Sequence, residues 1–259
     1  MEIIRSRQNP LVKHLIKLAE SRRERLKSQQ TLLAGTHLVE AALEADWPLE
    51  RVLVAEGEQG RAEISRLLPL LSCAVTALPP ELFQAIEQAP SPSGLLAQVK
   101  LPAPPARRDT GCCLLLDGVQ DPGNVGSILR TAVAAGIDQV WLTPGCADIW
   151  SPKVLRAGMG AHFQLSLLER IDLDQALSGF KGPLLVTSLQ EATSLYDCDL
   201  RGDLVLAFGS EGNGASAELL ALAHTRVRIP MAGPIESLNV AAAAAICLFE
   251  RLRQRLPAR

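Results

Sequence analysis

Apolar positions along this chain fall into two successive patterns. In the first hundred residues, Asn9-Pro10 opens a helix with proline at its first position, and Leu11, Val12, Leu15 and Leu18 follow at helical spacing. Residues 31–34 read as a short strand. Thr36 reads as the cap of a helix that carries Leu38, Val39, Ala42 and Leu43. Residues 51–55 (RVLVA) form a second strand, 62–71 a helix, 73–76 a short strand, 80–88 a helix and 95–99 a last strand. This alternation predicts a small α/β sandwich. The remainder is more regular. Strands are predicted at 112–116, 139–143, 165–168, 184–188, 204–209 and 227–229. Helices are predicted at 124–135 (ended by Gly136), from Pro152 to 157, at 216–223 and at 238–253. Strands alternating with helices imply a mostly parallel sheet.

Between the two patterns lies LPAPPARR, residues 101–108. Three prolines in eight residues continue neither a helix nor a central strand, so this stretch reads as a semi-rigid linker. The expected organisation is therefore a domain over 1–100, the linker over 101–108 and a second domain over 109–259. Both domains are of ordinary size.

Composition narrows the picture without naming a function. The chain has 259 residues, 47% apolar and 21% charged, with aromatics at 3%, so its core must be aliphatic. No apolar run is long enough to span a bilayer, and MEIIRSRQNP lacks the apolar stretch of a secretory signal; the expectation is a cytoplasmic protein. The six cysteines are scattered apart from adjacent Cys112 and Cys113, with no C-x-x-C pair. They read as small buried hydrophobes, and structural zinc is not expected. His14, His37, His162 and His224 are isolated and read as structural; no metal ligand set is visible. A net charge of −2 gives no support for nucleic-acid binding. Locally, Arg5, Arg7, Lys13, Lys17, Arg22, Arg23, Arg25 and Lys27 face only Glu20 and Glu24. That density suits phosphates, although a solvated helix face is the plainer reading.

The candidate chemistry lies in three segments: 114–136 (LLLDGVQDPGNVGSILRTAVAAG), 204–216 (LVLAFGSEGNGAS) and 228–250 (RIPMAGPIESLNVAAAAAICLFE). Each is an apolar strand or strand end followed by a turn rich in Gly, Asn, Pro or Ser; the first and third then run into a helix. Such turns offer free backbone N–H groups and small side chains to a ligand, and three of them point to one composite site. Asn124 sits where a helix cap belongs, while Arg130 lies off the buried stripe and faces solvent or a ligand. Glu211 is the only acid in its glycine-rich loop, placed to cap the following helix. Ser237 or Asn239 is placed to cap the last one.

These segments resemble the three motifs of the SpoU (TrmH-type) family of RNA ribose 2′-O-methyltransferases, within the knotted SPOUT superfamily. The resemblance spans residues 114–250, with all three motifs in order. It implies a SPOUT α/β knot domain with a mostly parallel sheet, S-adenosylmethionine as methyl donor, and a homodimer whose contact lies near the third motif. Carried over, Asn124 and Arg130 match the family's N-x-x-x-x-x-R, with the arginine near the target ribose. Glu211 supports the pocket by orienting Arg130, and Ser237 and Asn239 line the reaction centre. The donor is held largely by backbone at Gly209, Ile229 and Leu238. Guanidinium stays protonated in proteins, so Arg130 reads as a cation beside a developing alkoxide or a phosphate, not as a base. SRQNPLVK and AGTHLVE, residues 6–13 and 34–40, resemble the substrate-recognition domain often fused ahead of SpoU domains, a small α/β ribosomal-protein-like RNA-binding fold. Related sequences carry an acidic residue before that Gly, where this chain has Ala34.

The expected function is methyl transfer from S-adenosylmethionine to a ribose 2′-hydroxyl of structured RNA, ribosomal RNA first. The same chemistry on transfer RNA is the alternative. A non-catalytic RNA-binding or ribosome assembly factor is a second class, against which the intact Asn124, Arg130, Glu211, Ser237 and Asn239 argue. A dinucleotide-dependent oxidoreductase fails because no G-x-G-x-x-G follows a strand, and the lack of a G-x-x-x-x-G-K-[ST] disfavours reading the glycine-rich loop as a nucleotide-triphosphate loop.

Overall fold

The computed structural model of the protein describes residues 1–89, 91–137 and 139–257; Pro90, Asp138, Ala258 and Arg259, which fall within the two expected domains, lie outside the described residues. The chain divides into two compact units. One comprises Met1–Ala103 together with Asp148–Phe163, the other Pro104–Ala147 together with Gln164–Arg259.

The first unit runs β1 (Glu2–Ile3), α1 (Pro10–Glu20), α2 (Arg22–Ser28), β2 (Gln30–Ala34), α3 (Thr36–Glu44), β3 (Leu49–Ala55), α4 (Ala62–Leu67), β4 (Ala74–Leu78), α5 (Pro80–Glu87) and β5 (Leu95–Lys100). The sheet order is β1-β4-β3-β5-β2. β4 is parallel to β1 and β3, while β5 is antiparallel to β3 and β2. The helical spacing of the opening segment places Val12, Leu15 and Leu18 in a core with Leu32, Leu53, Leu78, Phe83 and Leu96. Each such burial stabilises by roughly 1.5–3 kcal/mol. Asn9 caps α1, its Oδ1 accepting from the Leu11 N–H at 2.8 Å. Thr36 is not a cap. Gly35, at φ +96°, holds that position, Thr36 is the first helical residue, and its hydroxyl donates to Glu63 instead.

In the other unit follow β6 (Cys112–Leu116), α6 (Pro122–Ala134) and β7 (Gln139–Leu142). The chain then passes through α7 (Pro152–Gly158), which belongs to the first unit. It continues as β8 (Ser166–Glu169), α8 (Leu173–Leu177), β9 (Leu184–Thr187), β10 (Thr193–Ser194), β11 (Leu204–Phe208), α9 (Ala217–Leu222), β12 (Thr225–Arg228) and α10 (Val240–Arg255). All seven strands of this sheet pair in parallel, in the order β10-β12-β9-β11-β6-β7-β8. The central strands are buried along their whole length, as a parallel sheet covered on both faces requires. On one face Cys113, Leu115, Trp141, Val186, Val205 and Ala207 pack with Leu173 and Ala176 of α8 and Leu219 of α9. α10 packs along α6. The end of the proline-rich stretch is docked: Arg107 donates to the carbonyls of Gln175 and Ala176, and the Gln139 side chain bonds both ways with the Arg108 backbone.

The segment Asp148–Phe163 completes the first unit. The Thr31 hydroxyl donates to the Trp150 carbonyl at 2.6 Å, and Trp47 packs against Trp150 and Phe163, with ring centroids 6.3 and 5.1 Å away. Arg25 is buried. Its guanidinium pairs with Asp148 at 2.6 Å and donates to the Leu18 and Ala19 carbonyls. Arg25 therefore belongs to the interior and leaves the basic segment as a surface feature. No described helix is long and apolar enough to cross a membrane.

Candidate active site

β6 and β11 lie side by side in register, Leu116 against Phe208, and their carboxyl ends open together. From β6 the sheet extends one way through β7 and β8; β9, β12 and β10 lie on the other side. Ligands of open parallel sheets bind outside the carboxyl ends of strands at such a change of direction.

The two loops leaving these ends are tied by Asp117, a buried carboxylate that the sequence reading passed over. Its backbone N–H donates to the Phe208 carbonyl at 2.8 Å. One side-chain oxygen accepts from the Thr143 hydroxyl at 2.9 Å, and the other from the Ser216 N–H at 2.8 Å. Ser216 is the residue that caps α9. One carboxylate thus fixes where the first loop begins and where the glycine-rich loop ends. Its position directly after an apolar strand was the available signal.

α6 begins two residues earlier than its apolar stripe indicates. Asp121, not Asn124, is the cap: its Oδ1 accepts from the Asn124 N–H at 2.8 Å, with Pro122 at the first helical position. The Asp-Pro pair carried that information. Relieved of capping, the Asn124 side chain donates through Nδ2 to Glu211 Oε1 at 2.9 Å and accepts through Oδ1 from Asn239 Nδ2 at 2.9 Å. Glu211 also accepts the N–H groups of Asp121 and Gln120 at 3.1 and 3.2 Å. Partial burial pushes its carboxyl up. The hydrogen bonds from the Asn124 side chain and from backbone N–H groups outweigh this and hold it below the usual carboxylate range. Asn239 caps α10, its Oδ1 accepting from the N–H groups of Ala241 and Ala242, so the last helix is anchored to the same cluster. One residue from each of the three motifs meets here.

Beside the cluster is a cleft of about 610 Å³, lined by residues of the loops after β9, β11 and β12 and by the start of α10. Gly209, Glu211, Ile229, Ser237, Leu238 and Asn239 all border it. Gly209 cannot carry a side chain, because a Cβ there would run into the backbone of Gly214 and Ala215. That close approach folds residues 210–214 into a tight turn, with Ser210 and Gly214 exchanging backbone hydrogen bonds. The lining has one carboxylate, Glu211, already engaged. A cleft of this volume, bordered by backbone groups and few charges, suits a small-molecule ligand.

Arg130 stands apart. It is exposed on α6, does not border the cleft, and has no hydrogen-bond or ion-pair partner among the described residues. Glu211 does not orient it; both oxygens of that carboxylate are engaged elsewhere. Ser237 is exposed on the cleft rim and Asn239 takes the capping role. Of the four histidines, His162 is fully buried in the first unit, its Nε2 at 2.8 Å from the Ile149 carbonyl. Burial lowers its pKa to about 4.

Residues 111–249, more than half of the chain, match the family model of the SpoU rRNA methylases, and residues 9–97 match the MRM3-like substrate binding domain. An uncharacterised tRNA/rRNA methyltransferase from Synechocystis is 36% identical, over 97% of this chain and 94% of its own. The 23S rRNA (guanosine(2553)-2′-O)-methyltransferase RlmP of Bacillus subtilis is 33% identical, over 96% of this chain and 98% of its own. The crystal structure of the SpoU methyltransferase AviRb from Streptomyces viridochromogenes, in complex with AdoMet, superposes with a TM-score of 0.88 at 28% identity, covering 97% of this chain and 100% of that one. A solved structure concerned with 2-OH methylation of C/U34 on tRNA is similar over only 57% of this chain, at a TM-score of 0.52 and 30% identity. The chain belongs to the SpoU rRNA methylase family.

Proposed function

We propose that this protein is an S-adenosylmethionine-dependent methyltransferase that modifies a ribose 2′-hydroxyl of ribosomal RNA. The observation that carries the reading is the Glu211–Asn124–Asn239 cluster, which joins all three motifs at the rim of the cleft. When bound, the donor supplies an electrophilic methyl on a sulfonium sulfur, open to in-line displacement. The Gly209, Ile229 and Leu238 backbones, all on the cleft border, would hold it, with the tight turn that only glycine permits at 209 shaping that border. Glu211, with hydrogen bonds fixing both oxygens, is an anchor for the first loop and not a proton acceptor. Asn124 and Asn239 hold the hydroxyl-facing rim rigid, and Ser237 lies exposed for contact with the nucleotide. Arg130, exposed and without a partner among the described residues, would meet the ribose 2′-oxygen or an adjacent phosphate of the bound RNA as a permanent cation.

Ribosomal RNA is favoured over transfer RNA by the extent of the matches. The rRNA-acting relative covers both units, whereas the tRNA structure matches little more than half of the chain. A cytoplasmic location accords with that substrate. We also propose a trefoil knot through the third motif and a homodimer. Supporting the first, the chain returns from β12, beyond β9, to Asn124 on α6. Supporting the second, α10 leaves Ala242 and Phe249 exposed two turns apart, Phe249 by 47%, and the residue just past its end, Leu256, is exposed by 60%.

Labelled methyl transfer into undermodified ribosomal and transfer RNA, offered separately to wild type and Arg130→Ala, tests this. Alkali-resistant label in ribosomal RNA alone, lost in the variant, is the expected result. Label in transfer RNA would move the substrate, and donor binding without transfer to either RNA would favour a non-catalytic role.

A further inference from the structure

The charge of the first unit is unevenly distributed. Between Arg5 and Lys27 stand eight cations and two carboxylates in a chain of net charge −2, so all other residues together carry −8. Elsewhere in this unit Lys153 stands without a partner among the described residues, but the exposed cations Arg61, Arg66 and Lys100 each meet a carboxylate, at 3.2, 2.6 and 3.6 Å. On the α1–α2 corner they do not. Arg7, Lys13, Lys17, Arg23 and Lys27 are exposed, and none has a hydrogen-bond or ion-pair partner among the described residues. Of the carboxylates beside them, Glu20 accepts from Gln88 at 2.7 Å, and Glu24 lies 3.8 Å from the His14 ring and pairs with none of the five cations.

The corner is also held rigid from below. Ser21 ends α1 and caps α2, its Oγ accepting from the Glu24 N–H at 3.3 Å. Buried Arg25 grips the last-turn carbonyls of α1 and the Asp148 carboxylate. Lys13 and Lys17 are one turn apart on α1, and Arg23 and Lys27 one turn apart on α2. Each pair therefore presents two charges on one face, with Cβ atoms about 6 Å apart. Glu20 stands three residues from Lys17 and Glu24 three from Lys27, yet neither pairs with its lysine, so the face keeps its positive charge. A polyanion backbone is the ligand that matches a fixed row of uncompensated cations.

We infer that the α1–α2 corner is a phosphate-tracking surface, with Lys13, Lys17, Arg23 and Lys27 contacting the sugar–phosphate backbone of the RNA substrate. This rests on the reading of the chain as an RNA methyltransferase and assigns that substrate a contact surface outside the methyl-transfer cleft. Such contacts carry no base readout. They add affinity and register while sequence or shape is read elsewhere.

The experiment measures binding of an in vitro transcript of large-subunit ribosomal RNA by fluorescence anisotropy across a salt series. It compares wild type, the quadruple variant Lys13→Gln/Lys17→Gln/Arg23→Gln/Lys27→Gln, and Lys181→Gln, an exposed cation of the other unit. Donor binding by calorimetry and circular dichroism establish that each variant is folded. The expected result is a salt slope in the quadruple variant shallower by about 3, and Kd weaker by about tenfold or more at moderate salt. Lys181→Gln should match wild type. In methyl transfer, KM for RNA should rise with kcat retained. A folded quadruple variant with wild-type slope and Kd overturns the inference, even if wild type methylates the transcript. Wild-type RNA binding that is lost in the quadruple variant, without methyl transfer by either, upholds the surface and refutes the enzymatic reading instead. Failure of wild type to bind the transcript refutes both.

Discussion

Asn124 and Asn239 lie 115 positions apart and meet amide to amide at 2.9 Å, the Nδ2 of Asn239 donating to the Oδ1 of Asn124. Because Asn124 Nδ2 is given to Glu211, the orientation of its amide is fixed from both sides. Replacing Asn124 with Asp would set a second carboxylate against Glu211, and like charges at this range disfavour ionisation of both. Asn124→Asp is expected to lower methyl transfer about a hundredfold or more and to raise the pH at which residual activity is lost on acidification. A pH–rate profile with wild-type amplitude would sink this account. In the wild type Glu211 sits below its ordinary pKa, so its contribution is present above the unfolded carboxylate value and is lost only as pH falls through the lower, folded one.

The glycine-rich loop separates two otherwise similar substitutions. At Gly209 an added methyl meets the backbone of Gly214 and Ala215, and backbone does not yield cheaply; at Gly212 it meets nothing within 4 Å. Gly209→Ala is expected to cost about 1–3 kcal/mol of stability and to abolish donor binding, while Gly212→Ala leaves the melting temperature near wild type. Calorimetric titration of the two variants with S-adenosylmethionine, alongside thermal melts, checks the contrast.

Asp117 acts through others. Asp117→Ala leaves the Ser216 N–H without its acceptor, at a cost of about 1–3 kcal/mol where water cannot substitute, and leaves the Thr143 hydroxyl only the Pro144 carbonyl at 3.4 Å. The second loop should then lose its fixed end. KM for the donor should rise more than kcat falls. Asp117→Asn, which keeps one acceptor oxygen, should recover part of the donor affinity. Equal loss in both variants would count against a positioning role.

His162 predicts an acid-sensitive first unit. With its Nε2–H donated to the Ile149 carbonyl, Nδ1 is buried with no partner, so protonation would place an uncompensated charge in the interior. Its folded pKa of about 4 lies below the ordinary 6.5. The unfolded chain therefore binds more protons between those values, and stability falls as pH drops through that window, by up to about 3 kcal/mol. Urea melts of wild type and His162→Gln from pH 7 to pH 4 should show a shallower decline in the variant.

Much of this was legible from one dimension. The apolar run Cys112–Leu116 and the stripe Val125, Ile128, Leu129 and Ala132 specify a buried strand and its helix because their periods match only those elements. Gly209, Ile229 and Leu238 border one cleft because the first two follow the ends of β11 and β12 and the third directly precedes the cap of α10. Pairings were not legible. Nothing local distinguishes Glu211 as the partner of Asn124 from Glu211 as the partner of Arg130, because hydrogen-bond geometry at 87 residues' separation is set by the fold. Short elements such as β10, two residues long, and α8, five residues long, lie below the length at which periodicity speaks. Arg25 looked like its surface neighbours because its carboxylate, Asp148, is 123 positions away.

That last pairing sets an order of events during synthesis. A nascent chain that has emerged as far as Ala103 has all five strands of its first sheet but neither Asp148 for Arg25 nor Trp150 and Phe163 for Trp47. An unpaired buried charge costs about 3–5 kcal/mol, enough to withhold cooperative closure. The first unit reaches its complete packing only once Phe163 has left the ribosome, by which time β6, α6 and β7 of the other unit have already emerged. The two units mature interleaved, and a cut at the proline-rich stretch would release a fragment that still lacks its closing piece.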